Sequence, residues 1–251
     1  MKKKAAIRLL IIGDEILSGK RQDRHLAQAN SLLKPRGLKV SEVSILGDEP
    51  QRLTDFLKHS FSRSDVVFCF GGIGATPDDR TRQCAAQALG VSLARHPQAV
   101  AEIEAQFGEQ AYPQRIRMAE YPKGAGMIPN AYNRVPGFFI KNHYFMPGFP
   151  VMAKLMMEWV LTHKPIGEQQ PLYIERSIRI FDGHEGDWIG FMEQFEGDFP
   201  KLRLFSLPTI HPDGARSFEL GVEGEAADVK EGMKVLVDEA ERRQCQWQNN
   251  R

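Results

Sequence analysis

The first 90 residues alternate between short apolar runs and amphipathic stretches, and this alternation limits the folds open to the chain. Residues 5–12, 38–46 and 65–70 have the composition of strands, and residues 25–34 and 51–61 have the spacing of helices. Strands separated by helices pair in parallel through right-handed crossovers. The pattern predicts an α/β fold, a three-layer sandwich around a mostly parallel sheet.

A glycine-rich segment, the glycine loop (residues 71–80), follows the third predicted strand. It reads Gly71-Gly72-Ile73-Gly74-Ala75-Thr76-Pro77-Asp78-Asp79-Arg80, and Thr81 comes next. Because glycine has no Cβ, a ligand can approach the backbone N–H groups of such a loop closely. The loop therefore predicts a phosphate-binding site in which the N–H groups of Gly71, Gly72 and Gly74 hold a diphosphate.

The second half of the loop has the pattern of a helix start. Thr76 as N-cap and Pro77 in the first turn predict a helix over about residues 78–89, whose open N–H groups favour an anion. Asp78 and Asp79 would repel a bare phosphate, so a divalent cation is expected to bridge carboxylate and phosphate. The alternative is that Asp79 only caps the helix.

Two better-known phosphate motifs do not fit. A dinucleotide-binding fingerprint would need a glycine where Pro77 stands. Residues 13–21 resemble a Walker loop, but they contain one residue too many and Arg21 replaces Ser or Thr. The glycine loop therefore belongs to neither class.

Three further loops follow predicted strands, and we call the four together the strand-end rim. Their sequences are Gly13-Asp14-Glu15, Gly47-Asp48-Glu49-Pro50 and Pro147-Gly148-Phe149-Pro150. Ligands of open parallel sheets bind beyond the carboxyl ends of the strands. Acidic pairs occur in three of the four loops, and each pair alone is also a common turn or cap former. Their mutual repulsion would be offset by a cation, and we expect Asp48, Asp78 and Asp79 to hold it.

Composition and charge exclude several classes of partner. The net charge of +1 gives no basic field for nucleic acid. The N-terminus lacks a secretory pattern and no segment reaches membrane-spanning length, so we expect a cytoplasmic protein with no membrane partner. Three widely spaced cysteines suit reduced thiols.

A polar segment rich in proline and glycine, residues 164–171, divides the sequence. We predict a nucleotide- or pterin-binding domain over residues 1–165. Residues 171–251 show a βαββα pattern, which predicts a small C-terminal α+β domain.

The rim loops, together with Asn30, resemble the molybdopterin-binding (molybdenum-cofactor biosynthesis) domain family, and within it the N-terminal domain of competence/damage-inducible CinA proteins. The resemblance covers residues 1 to about 165. Residues 183–187 also resemble the segment that opens the small second domain of CinA proteins. The amidohydrolase domain that ends full-length members is not seen, so nicotinamide-nucleotide deamidation is not expected.

The resemblance implies binding of molybdopterin or an adenine dinucleotide at the strand ends. It implies catalytic roles for Asp48, Asp79 and Glu15, with Glu15 the first candidate for the general base. It further implies Mg²⁺, Mn²⁺ or Co²⁺ as cofactor and a homo-oligomer, either a dimer or a trimer. The implied ligand contacts are Gly13, Asp14, Asn30, Gly71, Gly72, Gly74, Thr76, Thr81, Pro147 and Gly148.

Three functions remain open from the sequence. The first is metal-dependent hydrolysis of a nucleotide diphosphate such as ADP-ribose or FAD. The second is molybdopterin binding or adenylyl transfer in molybdenum-cofactor biosynthesis, or binding without turnover. The third is a scaffold that acts through the second domain, which fold-level analogy does not exclude.

Overall fold

The computed structural model describes residues 6–166, 173–181 and 183–250. The chain forms two compact units, the first from residues 1–35 and 39–168 and the second from residues 36–38 and 169–251. Most of the predicted linker, from residue 167 onward, lies outside the described residues, and so does Leu172, where the next strand was expected to begin. The boundaries 1–165 and 171–251 stay a prediction.

The first unit follows the predicted alternation of strands and helices. Its elements are β1 (Ile7–Ile12), α1 (Asp14–Leu17), α2 (His25–Leu33), β2 (Val40–Leu46), α3 (Pro50–Phe61), β3 (Val66–Phe70), α4 (Thr81–Leu89), β4 (Leu93–Arg95), α5 (Pro97–Phe107), β5 (Glu120–Pro122), β6 (Gly126–Ile128), β7 (Gly137–Ile140), β8 (His143–Met146) and α6 (Pro150–His163). Short 3₁₀ helices cover Lys34–Arg36, Gly108–Ala111 and Arg115–Ala119.

Six of these strands form the central sheet in the order β2-β1-β3-β8-β7-β6. The first four are parallel, with β1 pairing to both β2 and β3, and β3 pairing to β8. The strands β7 and β6 add to β8 as antiparallel neighbours. The parallel strands therefore all end at one edge, which places the rim loops there.

Both faces of the sheet are buried, as expected for apolar strands with crossover helices. Leu10, Ile12, Val67 and Cys69 point to one face, where they form a core with side chains of α3, α4 and α5. Alternate residues such as Phe68 are also fully buried, and α2 and α6 contact each other. The three-layer α/β sandwich with a mostly parallel sheet is confirmed.

The second unit is a small α+β fold, also as predicted. It contains β9 (Tyr173–Phe181), a 3₁₀ helix at Glu185–Trp188, α7 (Ile189–Asp198), β10 (Arg203–Ile210), β11 (Arg216–Glu225), α8 (Ala226–Arg242) and β12 (Trp247–Asn250). Its sheet is antiparallel in the order β10-β11-β9-β12. Trp188, Phe195, Phe218 and Leu236 are among the side chains of its core.

Several elements differ from the sequence prediction. The helix expected from about residue 78 begins at Thr81, and its N-cap residue is Arg80. Three short strands were not predicted: β4 and β5, which pair with each other, and β12. Three- and four-residue strands carry too little apolar periodicity to be recognised, and long-range backbone pairing alone defines them.

Among the helices of the described residues, none has the length and apolar character that crossing a bilayer requires.

A buried histidine lies at the edge of the sheet opposite to the rim. His143, the first residue of β8, is 1% exposed, and its Nε2 lies 2.7 Å from the hydroxyl of Ser60. Burial lowers the pKa of His143 to about 4, with a contribution from the charge of Lys141 and an opposing one from Asp65. The folded state therefore holds the neutral imidazole.

This burial predicts an acid-sensitive fold. Because the folded pKa lies below the ordinary value near 6.5, the unfolded chain takes up the proton first, and stability present above pH 6.5 is lost as the pH falls toward 4. Between pH 7.5 and pH 5 the loss attributable to His143 is about 2 kcal/mol. Urea unfolding of His143→Gln should show a correspondingly smaller pH dependence, while exposed His59→Gln should behave as wild type. An unchanged pH dependence in His143→Gln would contradict the assignment.

Candidate functional site

The strand-end rim is assembled by backbone contacts between loops that are distant in the sequence. Gly13 N–H donates to the carbonyl of Leu46 (2.9 Å), which joins the loops after β1 and β2. Gly71 N–H donates to the carbonyl of Met146 (3.0 Å), which joins the ends of β3 and β8. A Cβ placed on Gly148 would lie 3.4 Å from the Cα of Gly71. The four loops therefore occupy one continuous edge, as predicted.

The glycine loop is closed by Thr81 rather than by an N-cap at Thr76. Thr81 is fully buried; its N–H donates to the carbonyl of Gly72 (3.0 Å), and its hydroxyl donates to the carbonyl of Gly71 (3.1 Å). These bonds delay the start of α4, so the prediction of a helix from residue 78 is wrong. Thr81, expected as a ligand contact, supports the loop from below.

Asp79 bonds within the loop. Its carboxylate accepts from the N–H and the hydroxyl of Thr76, at 3.1 and 2.5 Å. Asp78 is exposed, and its interaction with the Thr76 side chain holds its pKa below the ordinary value. The helix-capping role considered for Asp79 is replaced by the capping of a tight turn. Both carboxylates still lie at the rim.

The backbone donors of the glycine loop are not equivalent. The N–H of Gly71 donates to the carbonyl of Met146 and so continues the β3–β8 ladder. It is therefore not available to the diphosphate, contrary to the prediction. Within the described residues, no backbone carbonyl accepts from the N–H groups of Gly72, Ile73 or Gly74. These consecutive groups are donors that the loop can offer to an anion.

A buried arginine that the sequence analysis did not single out anchors the loop. Arg82 is 2% exposed, and its guanidinium donates to the carbonyls of Gly74 and Arg117. Burial lowers the pKa of Arg82, and the charge of Asp79 opposes this effect. Among the described residues, no carboxylate lies within ion-pair distance of Arg82, so a positive charge remains beneath the loop.

The acidic loops after β1 and β2 bind each other reciprocally. Asp14 N–H donates to the Asp48 carboxylate (3.1 Å), and Asp48 N–H donates to the Asp14 carboxylate (3.3 Å). Burial raises the pKa of Asp48, the hydrogen bond from Asp14 opposes it, and the charges of Asp14, Glu15 and Asp78 raise it further. Acids from three strand ends therefore share one electrostatic environment.

The two acids of the pair after β2 have different roles. Glu49 caps α3, because its carboxylate accepts from the N–H groups of Gln51 (3.0 Å) and Arg52 (2.8 Å). Asp48 makes no such cap and faces Asp14. The sequence assigned Asp48 alone to the candidate site, and the structure gives Glu49 a separate role as the cap of α3.

The carboxylate of Glu15 folds back toward its own loop. A Cβ placed on Gly13 would lie 2.9 Å from Glu15 Cδ. Glu15 is partly exposed and Asp14 is exposed. In the described part of the chain, no three or more Asp, Glu, His or Cys side chains converge as a ready set of metal ligands. A cation here would need ligands beyond the protein's carboxylates.

The predicted contact Asn30 lies on α2, and its role stays a prediction, while a histidine at the start of the same helix contacts the end of β3. Asn30 is exposed in the second half of α2. His25, the first residue of α2, is 5% exposed, and its ring stacks on Phe70 at a centroid distance of 4.6 Å. Its Nδ1 lies 2.8 Å from the carboxylate of Asp23. The Asp-x-His spacing was the available sequence signal for this pair.

Burial raises the pKa of Asp23, but hydrogen bonds from the N–H groups of His25 and Leu26 and from the His25 ring outweigh it and leave the pKa lowered. The Nε2 of His25 is buried and has no hydrogen-bond partner among the described residues.

Unlike the Asp23–His25 pair, Arg82 gave no sequence signal, since a lone arginine in a helix is ordinarily solvent-exposed.

Comparison with known proteins matches this fold and site to one family. Residues 8–166 match the family described as "Probable molybdopterin binding domain". The match spans the rim loops and all six strands of the central sheet. The chain belongs to the molybdopterin-binding domain family.

Its relatives within that family are CinA-like proteins. A "CinA-like protein" from Syntrophotalea carbinolica is 32% identical over an alignment of 185 residues, which covers 70% of this chain and 45% of the relative. A "Putative competence-damage inducible protein" from Clostridium kluyveri is 27% identical over 237 residues, covering 91% of this chain and 56% of the relative. The chain thus spans about half the length of these curated relatives.

A solved structure supports the same assignment. The protein CinA from Thermoplasma acidophilum, described as of unknown function, matches with a TM-score of 0.58 and 25% identity. The match covers 63% of this chain and 97% of the solved one. The resemblance seen in the sequence is therefore confirmed at the level of family and fold.

The close approach at the end of β3 predicts a strict requirement for glycine. Gly71 has φ +110°, and a Cβ there would collide with the backbone carbonyl oxygen of Ile12. Gly71→Ala should therefore lower the free energy of unfolding by more than about 3 kcal/mol. Gly90→Ala is the matched control, with φ +68° but open space around the added methyl; it should cost about 1 kcal/mol. Equal losses in urea unfolding would refute the steric argument.

Because Asp48 is under like-charge repulsion and Glu49 caps α3, substitutions at these two residues should change the stability in opposite directions. Asp48→Asn keeps an oxygen that accepts from Asp14 N–H and removes like-charge repulsion, so it should stabilise the protein at pH 7 by about 0.5–1 kcal/mol. Glu49→Ala removes the α3 cap and should destabilise by about 1 kcal/mol. Thermal unfolding of both variants distinguishes them. A loss of stability in Asp48→Asn would show that its charge is not under repulsion.

Proposed function

We propose that the first unit binds a nucleotide diphosphate at the strand-end rim and hydrolyses it with a divalent cation, ADP-ribose and FAD being the type of substrate. One observation carries the proposal. The acidic loops after β1 and β2 are hydrogen-bonded to each other beside the glycine loop. The charges of Asp14, Glu15 and Asp78 raise the pKa of Asp48. Such concentrated negative charge next to backbone donors suits a phosphate ligand that arrives with a cation.

The glycine loop supplies the phosphate contacts in this proposal. The N–H groups of Gly72, Ile73 and Gly74 face a ligand in place of the engaged Gly71. Arg82 holds the carbonyl of Gly74 from the buried side, so the loop is fixed before binding. Its unpaired positive charge adds to the attraction for an anion. A preorganised loop of this kind loses little conformational freedom on binding.

The carboxylates at the rim fit a hard cation that is shared with the ligand. Mg²⁺ is ordinarily held by one or two carboxylates together with substrate phosphates. That requirement agrees with the lack of a three-ligand cluster in the described residues. We assign Asp48 and one of the two carboxylates of the glycine loop, Asp78 or Asp79, as the residues that would hold Mg²⁺, Mn²⁺ or Co²⁺ together with the ligand phosphates. When bound, such an ion neutralises negative charge on the phosphoryl group and acidifies a bound water.

The protein's own groups position the reaction. Thr76 fixes the Asp79 carboxylate through two hydrogen bonds, so that its orientation does not depend on the ligand. Glu15, partly exposed above Gly13, is the candidate for the general base that accepts a proton from the attacking water. These roles use only residues of the first unit.

A second candidate is binding of molybdopterin or its adenylylated form, with adenylyl transfer or without turnover. The observation that favours it is the family match, whose description names molybdopterin binding. In that case the rim would hold the ligand and leave dinucleotides intact.

A dinucleotide panel tests the proposal. ADP-ribose and FAD should release AMP in the presence of Mg²⁺, Mn²⁺ or Co²⁺ and not in EDTA, as measured by chromatography. Asp79→Asn should lower kcat/KM at least about a hundredfold, because the charge at the cation is lost. The fold should persist, since asparagine still accepts from Thr76.

Asp55→Asn is the matched control for this variant. Asp55 is an exposed acid on α3 that accepts from the side chain of Gln51. It should retain full activity. Full activity in Asp79→Asn would leave Asp79 with a purely structural role, and intact dinucleotides with every metal would favour the second candidate.

A further inference from the structure

An exposed aromatic ring stands on the strand-end rim without an assigned role. Phe149 follows β8 and is 59% exposed. It precedes the first turn of α6, where its carbonyl accepts from Ala153 N–H (2.9 Å). Within the described residues no other ring stacks on it. Single exposed apolar residues are common, so exposure alone assigns no role to Phe149.

The order of the strands places that ring beside the glycine loop. Along the edge β2-β1-β3-β8, the acids follow β2 and β1, the glycine loop follows β3, and Phe149 follows β8. Neighbouring strands are about 4.8 Å apart, so the row from Asp48 to Phe149 spans about 14 Å at the backbone. The direct approach of Gly148 to Gly71 confirms that the last two loops touch.

We infer that Phe149 is the stacking platform for the fused heteroaromatic ring of the ligand, an adenine or a pterin. This inference rests on the proposed function, in which the neighbouring N–H groups of Gly72, Ile73 and Gly74 hold the diphosphate. The ligand then lies across the strand ends with its ring on the β8 side and its cation between the glycine loop and the acidic loops after β1 and β2. The flat apolar face of phenylalanine stacks on such rings whatever hydrogen-bonding groups they carry at their edges.

The test uses two probes that differ only in the nucleoside, α,β-methylene-ADP and methylenediphosphonate, neither of which is cleaved at the bridging carbon. Calorimetric titration in Mg²⁺ should show that Phe149→Ala weakens α,β-methylene-ADP binding about 5- to 100-fold. Binding of methylenediphosphonate should not change. Phe149→Trp should keep the affinity for α,β-methylene-ADP, because the flat ring is retained.

Val151→Ala is the matched control, since Val151 is equally exposed (60%) on the first turn of α6. It should leave both affinities unchanged. An equal loss in Val151→Ala, or an unaltered affinity for α,β-methylene-ADP in Phe149→Ala, overturns the inference while the diphosphate site stands. A change of molecular mass in solution caused by Phe149→Ala alone would assign the ring to a contact between copies and also overturn it. If wild type binds neither probe, the proposed function fails and this inference fails with it.

Discussion

The hydrogen bonds from Thr81 to the carbonyls of Gly71 and Gly72 are the interaction on which the site depends. They turn the chain sharply at the end of β3 and tie the loop to the first residue of α4. With these carbonyls engaged from the buried side, the loop can present its next N–H groups to a ligand. Arg82, one residue further on, holds Gly74 in the same way. The side chains of Thr81 and Arg82, one neutral and one charged, thus determine the shape of the glycine loop.

Several carboxylates lie close together at the strand-end rim and repel one another. Asp14, Glu15 and Asp78 are near enough to Asp48 for their charges to raise its pKa. The hydrogen bond from Asp14 N–H to the Asp48 carboxylate opposes this effect. The positive charge of the buried Arg82 guanidinium interacts with the neighbouring Asp79. Binding sites commonly keep such unfavourable charge because a ligand relieves it. The family description names molybdopterin binding, and the polyanionic ligand with a cation that we propose would relieve this repulsion.

Particular residues show where sequence reasoning succeeded and where it did not. The apolar runs of β1 and β3 and the glycines after β3 indicated the sheet and the edge at which we expect a ligand, because burial on both faces and positive φ leave a clear composition. Asn30 was assigned to the site by resemblance alone and stays a prediction, whereas the contact of His25 with Phe70 was not predicted. The start of α4 was misplaced because Thr76-Pro77 is a valid cap pattern locally. The bonds of Thr81 to residues nine and ten positions earlier override it.

The family, the α/β class of the first unit and the small α+β unit can all be inferred from the amino-acid sequence alone, and so can the edge at which we expect a ligand. These follow from local signals, namely apolar period, glycine placement and strand–helix alternation. The folded chain adds that Asp48 faces Asp14, that Gly71 N–H donates to Met146, and that Arg82 is buried against the carbonyl of Arg117. These three features depend on contacts between segments far apart in the chain, and such contacts leave no mark on the composition of either segment.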